Sequence, residues 1–215
     1  MRNLLLFTAV ASLSFGVAHA KSFNGPYAGL TAGYNSGQIE GSLDLTPLAL
    51  GTGSAEEDTD GFEGGLYAGY RHNFENNFVL GIEAGALLSN SDGSFTNVVF
   101  AGDELEIEKK NELYLSVKPG YSFKDNMLAY LIGGYQVAKF DSTYTVGANT
   151  ASGDDTFDGF HLGFGGEYAA NDRVSLRLEY KHQWYGDQSY TTAGVGTETY
   201  EGDENTFRVG VTYNF

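Results

Sequence analysis

Asn205-Thr-Phe-Arg-Val-Gly-Val-Thr-Tyr-Asn-Phe215 decides how the rest of the chain is read. Phe207, Val209, Val211, Tyr213 and Phe215 share one parity; Arg208, Gly210, Thr212 and Asn214 share the other. A period of two sustained over this length marks a strand with one apolar and one polar face. The apolar parity holds through Phe215, whereas a strand closing a soluble sandwich is normally followed by a few frayed polar residues. The pattern suits a face turned towards hydrocarbon.

Working outward from that segment, seven more stretches alternate in the same way: 26–34, 62–74, 78–88, 113–123, 127–137, 160–168 and 174–184. In 78–88, for example, Phe78, Leu80, Ile82, Ala84, Ala86 and Leu88 oppose Val79, Gly81, Glu83 and Gly85. The stretch 127–137 is ambiguous, because Tyr130 and Ile132 are as apolar as Leu131 and Tyr135; Gln136 assigns Ala129, Leu131, Tyr135 and Val137 to the outer face. Connections alternate in length. Segments 75–77, 124–126 and 170–173 read as tight hairpin turns rich in Asn and Asp. Segments 37–60, 89–110, 140–157 and 186–204 read as long loops. Short turns on one rim, long loops on the other and an even strand count predict an all-β, eight-stranded antiparallel up-and-down transmembrane β-barrel, with short periplasmic turns and long extracellular loops.

Composition agrees. Residues 1–20 read as a secretory signal peptide: a positive Met1-Arg2-Asn3, an apolar run from Leu4 to Val17, and Ala18-His19-Ala20 as a cleavage site. The barrel domain is then expected over 21–215. Removing the signal takes Arg2 with it and leaves 11 basic and 28 acidic side chains, a net charge of −17. Such a chain lacks the basic stripe that nucleic acid demands. Without cysteine it has neither disulfides nor thiolate metal sites. No other stretch is long and apolar enough for a membrane helix, which leaves a barrel open, because alternating strands average to a mild hydropathy. Export followed by integral insertion in a bacterial outer membrane is the expected localisation.

The inward parity carries Glu63, Glu83, Glu167 and Glu179 with Arg71, Lys118, Arg177, Lys181 and Arg208. Eight strands enclose a lumen that side chains just fill. Unpaired buried charge costs several kcal/mol, so a connected Glu–Arg/Lys network is expected there. Inward glycines make room for long Arg and Tyr side chains. Outward aromatics near strand ends, Tyr34, Phe74, Phe78, Phe123, Tyr168, Tyr180, Trp184, Tyr213 and Phe215, read as the girdle at the headgroups.

Acid concentrates in the long connections, as in Glu40, Glu56, Glu57, Asp58 and Asp60 of the first and Glu198, Glu201, Asp203 and Glu204 of the fourth. These predict a solvated, self-repelling rim. Divalent-cation binding is the sharper alternative, but no ordered ligand spacing supports it, so neither metal nor cofactor is assigned. His161 points inward as a hydrogen-bonded lumen residue. His182 lacks the serine partner that a lipid-modifying enzyme would need, so no catalytic residue is assigned and the chain is read as a non-enzyme.

Tyr27-Ala-Gly-Leu-Thr-Ala-Gly-Tyr34, Gly69-Tyr70-Arg71, Gly81-Ile-Glu83-Ala, Gly133-Gly134-Tyr135 and Val211-Thr-Tyr-Asn-Phe215 resemble the small outer-membrane β-barrel family of OmpA-like and opacity-type surface proteins. The resemblance covers essentially all of the chain after the signal. It implies recognition of Tyr213 and Phe215 by the barrel assembly machinery, passage with periplasmic chaperones, and contact with outer-membrane lipid and lipopolysaccharide. It also implies an envelope-stabilising surface protein whose acidic loops meet a host or surface ligand; the sequence departs from full-length OmpA relatives in showing no peptidoglycan-binding domain after the barrel, so a cell-wall anchoring role is not expected. A small porin-like channel is the alternative reading, and a lipid-modifying enzyme a weaker one.

Overall fold

A computed structural model describes residues 23–44, 46, 51–96, 102–123, 126–192 and 196–215; the signal segment expected over 1–20 lies outside them. The strands are β1 (Gly25–Asp44), β2 (Thr52–Asn73), β3 (Phe78–Thr96), β4 (Asp103–Phe123), β5 (Met127–Val146), β6 (Asn149–Ala169), β7 (Val174–Thr192) and β8 (Gly196–Asn214). Each pairs antiparallel with the next. β1 also pairs with β8, from Tyr27↔Asn214 to Asp44↔Thr197, so the sheet closes as a barrel. At that seam the backbone N–H of Phe215 donates to the Pro26 carbonyl at 3.1 Å.

The tight turns follow from their side chains. Asn77 sits at φ 64°, a left-handed conformation that Asn tolerates better than most residues. The Asn171 carboxamide oxygen accepts from the backbone N–H groups of Arg173 and Val174, each at 2.9 Å, and locks the β6–β7 turn.

The expected architecture needs correction on the other rim, where the long loops are mostly strand. Each strand runs 19 to 22 residues, about twice the 9–11 that a membrane crossing requires. Residues 37–44 and 52–60 extend β1 and β2. Residues 89–96 and 103–110 extend β3 and β4, and Gly147–Ala148 alone separates β5 from β6. Above the membrane the outer face of each strand meets water, so the outward apolar parity is lost although the backbone ladder continues. At ~3.3 Å per residue and a tilt near 40° these strands rise roughly 50 Å, against an apolar band of about 25 Å. About half of the barrel is therefore a sheet-built stalk.

The apolar band is sharply placed. Phe207, Val209, Val211, Tyr213 and Phe215 are 42–53 % exposed, while Thr206, Arg208, Thr212 and Asn214 are buried. In β4, Leu113, Leu115, Val117, Tyr121 and Phe123 face outward and Glu112, Tyr114, Ser116 and Lys118 inward. Polar surroundings inside and hydrocarbon outside explain an inversion that would be ruinous in water.

On the stalk the outward face turns acidic. Asp60, Asp92, Glu108, Asp141 and Asp154 are successive cross-strand neighbours from β2 to β6. Like charges directly opposite one another repel. Lys110 pairs with Glu108, and Lys139 meets Asp154 at 3.1 Å, which relieves part of the repulsion.

Candidate functional site

The lumen is layered. At the β6–β7 turn end, Phe23, Val79, Leu128, Tyr130, Ile132 and Ala169 form a buried apolar cluster. The Arg71 guanidinium lies over the rings of Phe23 (5.0 Å) and Tyr27 (4.6 Å) and forks onto Glu167 at 2.8 and 3.0 Å. Such a bidentate pair fixes both side chains.

A denser cluster follows. Glu83, 1 % exposed, accepts from Tyr27 Oη (3.0 Å), Tyr114 Oη (2.9 Å), Lys118 Nζ (2.6 Å) and both terminal nitrogens of Arg177 (2.8 and 2.9 Å). Lys118 also donates to Glu179 at 2.7 Å, Tyr130 donates to it at 2.8 Å, and Arg177 pairs with it. Together with Arg71 and Glu167, this level sets three carboxylates against three cations.

A second balanced cluster lies towards the stalk. Arg208 pairs with Glu63 and reaches Glu112 at 3.3 Å. Lys109 bridges Glu112 (2.8 Å) and Glu204 (2.9 Å), and Gln183 donates to Glu204 at 2.9 Å. Lys181 stands 4.0 Å from Glu112. Tyr114 joins the two levels: Lys181 lies 4.5 Å and Arg208 5.6 Å from its ring centroid, while its hydroxyl reaches Glu83. A Cβ at Gly85 would fall 2.4 Å from that ring, so the tyrosine lies across the barrel only because Gly85 has no side chain.

Each of the nine charges expected in the lumen is buried. Glu63 meets Arg208; Arg71 meets Glu167; Glu83, Lys118, Arg177 and Glu179 meet one another. Lys181 finds no carboxylate within that set, and its nearest is Glu112. Sequence reading missed Lys109, Glu112 and Glu204. Glu112 shares the parity of Tyr114 and Lys118, and Glu204 that of Thr206 and Arg208, so extending the alternation would have found both. Lys109 was hidden by a bulge: the register shifts between Lys109 and Asn111, and Lys110 is the extra residue that reverses the parity.

Carboxylate oxygens of Glu63, Glu112 and Glu204 come within 4.8 Å of one another, a spacing a cation could bridge. Lys109, Lys181 and Arg208 already neutralise them, so no metal is assigned. His161, fully buried, exchanges hydrogen bonds with Ser116 and Gln136, each at 2.8 Å. A neutral imidazole fits, with Nδ1–H donating to Gln136 and Nε2 accepting from Ser116. His182 bonds Asn205 at 2.8 Å and packs edge-on against Trp184.

Of the girdle residues, Tyr34, Phe74, Phe78, Phe123, Tyr168, Trp184, Tyr213 and Phe215 lie on the outer face. Phe74–Phe78 (tilted) and Tyr213–Phe215 (edge-to-face) pack at the turn end, 5.7 and 5.1 Å between centroids, and Tyr34–Phe62 meet edge-to-face below the stalk at 5.3 Å. Tyr180 sits apart, against Phe164 at 5.5 Å, with its hydroxyl on Asn205.

Comparison with known proteins agrees with this architecture. Residues 5–215 match the family described as outer membrane protein beta-barrel domain. The chain is 30 % identical over 203 residues to the 31 kDa outer-membrane immunogenic protein of Brucella melitensis biotype 1, covering 90 % of this chain and 84 % of the relative. It is 27 % identical over 201 residues to the 25 kDa outer-membrane immunogenic protein of the same organism, covering 93 % and 82 %. Among solved structures, OprG of Pseudomonas aeruginosa superposes with a TM-score of 0.56 at 14 % identity, covering 89 % of this chain and 96 % of that one. At those levels the likeness to OprG concerns the fold alone.

Proposed function

Because the chain belongs to the outer membrane protein beta-barrel domain family, we propose that it serves the envelope as a plugged barrel that holds an acidic, sheet-built stalk outside the membrane. It is an integral, non-enzymatic outer-membrane protein. Its finer kinship is with the OmpA-like and opacity-type surface proteins, and its partners are outer-membrane lipid and lipopolysaccharide. The stalk acids are the surface that a host or surface ligand meets.

The observation that supports this reading is the pairing of buried acids and bases at two levels of one lumen. Planar-bilayer recording tests it. The wild-type barrel gives no steady conductance, whereas long-lived openings that change in Arg208→Ala would replace the plug with a channel. One feature favours that porin-like reading: Lys181 Nζ is buried with no hydrogen-bond partner among the described residues, so the stalk-side cluster is the looser one.

Residues 1–20 act as the export signal in this reading, and Tyr213 and Phe215 carry the assembly signal read by the barrel assembly machinery and its periplasmic chaperones. Deleting Phe215 lowers the amount of folded barrel in outer-membrane fractions several-fold while export to the periplasm continues. The check is a comparison of heated and unheated samples by gel mobility; normal folded levels of the truncated chain would refute the assignment.

A further inference from the structure

Above Glu204 the lumen changes character. Ile39 of β1, Ile107 of β4, Phe140 of β5, Phe157 of β6 and Tyr185 of β7 line a cavity of about 70 Å³. All five are part-exposed, in the half of the barrel that stands in water. Ionic pairing cannot account for such a lining, and holding apolar side chains from five strands around a hollow leaves favourable burial unused. The floor is polar: Lys109 Nζ, held by Glu112 and Glu204, lies 5.7 Å from the Tyr185 ring centroid. The Tyr185 hydroxyl is buried with no hydrogen bond within 3.5 Å among the described residues, and its charged neighbour is Lys109. Buried phenolic hydroxyls are normally satisfied, and one held only by a long contact to Lys109 at the base of an apolar cup has capacity for a further partner.

The walls specify a shape. Phe140 stands edge-to-face with Phe157 (5.3 Å, 85°) and with Tyr185 (5.6 Å, 90°), a herringbone that one further ring would continue. The hollow is about half of the roughly 150 Å³ known to hold benzene. A single ring therefore seats part-way, with its outer edge in the mouth.

We propose that this cup binds a small monocyclic aromatic alcohol of the phenol class. Its ring continues the Phe140–Phe157–Tyr185 herringbone, and its hydroxyl exchanges a hydrogen bond with Tyr185. The site is independent of whether the lumen below conducts.

Gly202 allows a direct test. The nearest atoms to a Cβ added there are Gln38 O at 3.7 Å and Ile39 and Tyr185 side-chain carbons at 3.9 Å, ordinary van der Waals contacts, so a side chain can be introduced in the lining of the hollow without a backbone clash at its Cβ. Fluorine NMR of 4-fluorophenol and fluorobenzene is recorded with the full barrel in lipid nanodiscs and with empty nanodiscs. Wild type gives saturable binding of 4-fluorophenol beyond lipid partitioning. Gly202→Leu weakens it at least tenfold, as does Ile107→Trp, while both variants keep the heat-modifiable gel shift of a folded barrel. Tyr185→Phe weakens 4-fluorophenol several-fold and leaves fluorobenzene unchanged. Signals indistinguishable from empty nanodiscs, or binding that survives both filling variants, would overturn the site. Equal loss of both probes in Tyr185→Phe would overturn the role given to the hydroxyl.

Discussion

Replacing Glu83 with alanine destabilises the barrel by about 3–5 kcal/mol, the cost of leaving buried charge without its partner. The size follows from how many groups the carboxylate serves. Two tyrosine hydroxyls, Lys118 and both terminal nitrogens of Arg177 converge on its oxygens. Once it is gone, Lys118 and Arg177 share Glu179 alone, and the Tyr27 and Tyr114 hydroxyls lose their acceptor. Glu83→Gln keeps the shape and some hydrogen bonding but not the charge, and falls between wild type and alanine. Urea titration of refolded protein in vesicles, followed by gel mobility, measures the difference. A change below about 1 kcal/mol, the range of an exposed pair, would show that the cluster is solvated and not packed.

The second large effect separates membrane from stalk within β4. Leu115, 52 % exposed, lies in the apolar band, and Leu115→Arg costs about 2–4 kcal/mol, the penalty for a cation facing lipid near mid-bilayer. Glu106 is on the outer face of the same strand, opposite Ser94 and Thr143 and flanked along the strand by Glu104 and Glu108. Glu106→Arg changes stability by less than about 0.5 kcal/mol, as surface substitutions do. The same titration in the same vesicles checks both. Comparable losses at the two positions would move the membrane boundary up the stalk and remove the distinction between band and stalk.

The crossing segments were legible because hydrocarbon imposes a strict two-residue period: every outward side chain of 207–215 must be apolar, and every inward one must be polar or small. Gln136 sufficed to assign β5, with Tyr130, Ile132 and Gln136 buried. The stalk was not legible for the same reason in reverse. Outward Ser36, Gln38 and Glu40 and inward Gly37 carry no contrast, and only the ladder from β1 to β2 and β8 shows that they are strand. Lys109 escaped because one inserted residue, Lys110, changes the face. The aromatic cup escaped because Phe140 and Phe157 fall where the sequence reads as loop, and their meeting across β5 and β6 depends on a hairpin of only two turn residues.

The acidic row from Asp60 to Asp154 has a consequence for any antibody or receptor. Its five carboxylates come from five different strands, so adjacent contacts are separated in the chain by at least a dozen residues. No linear peptide reproduces such a surface. Sera raised against denatured chain or synthetic fragments recognise a different object from sera raised against the intact envelope.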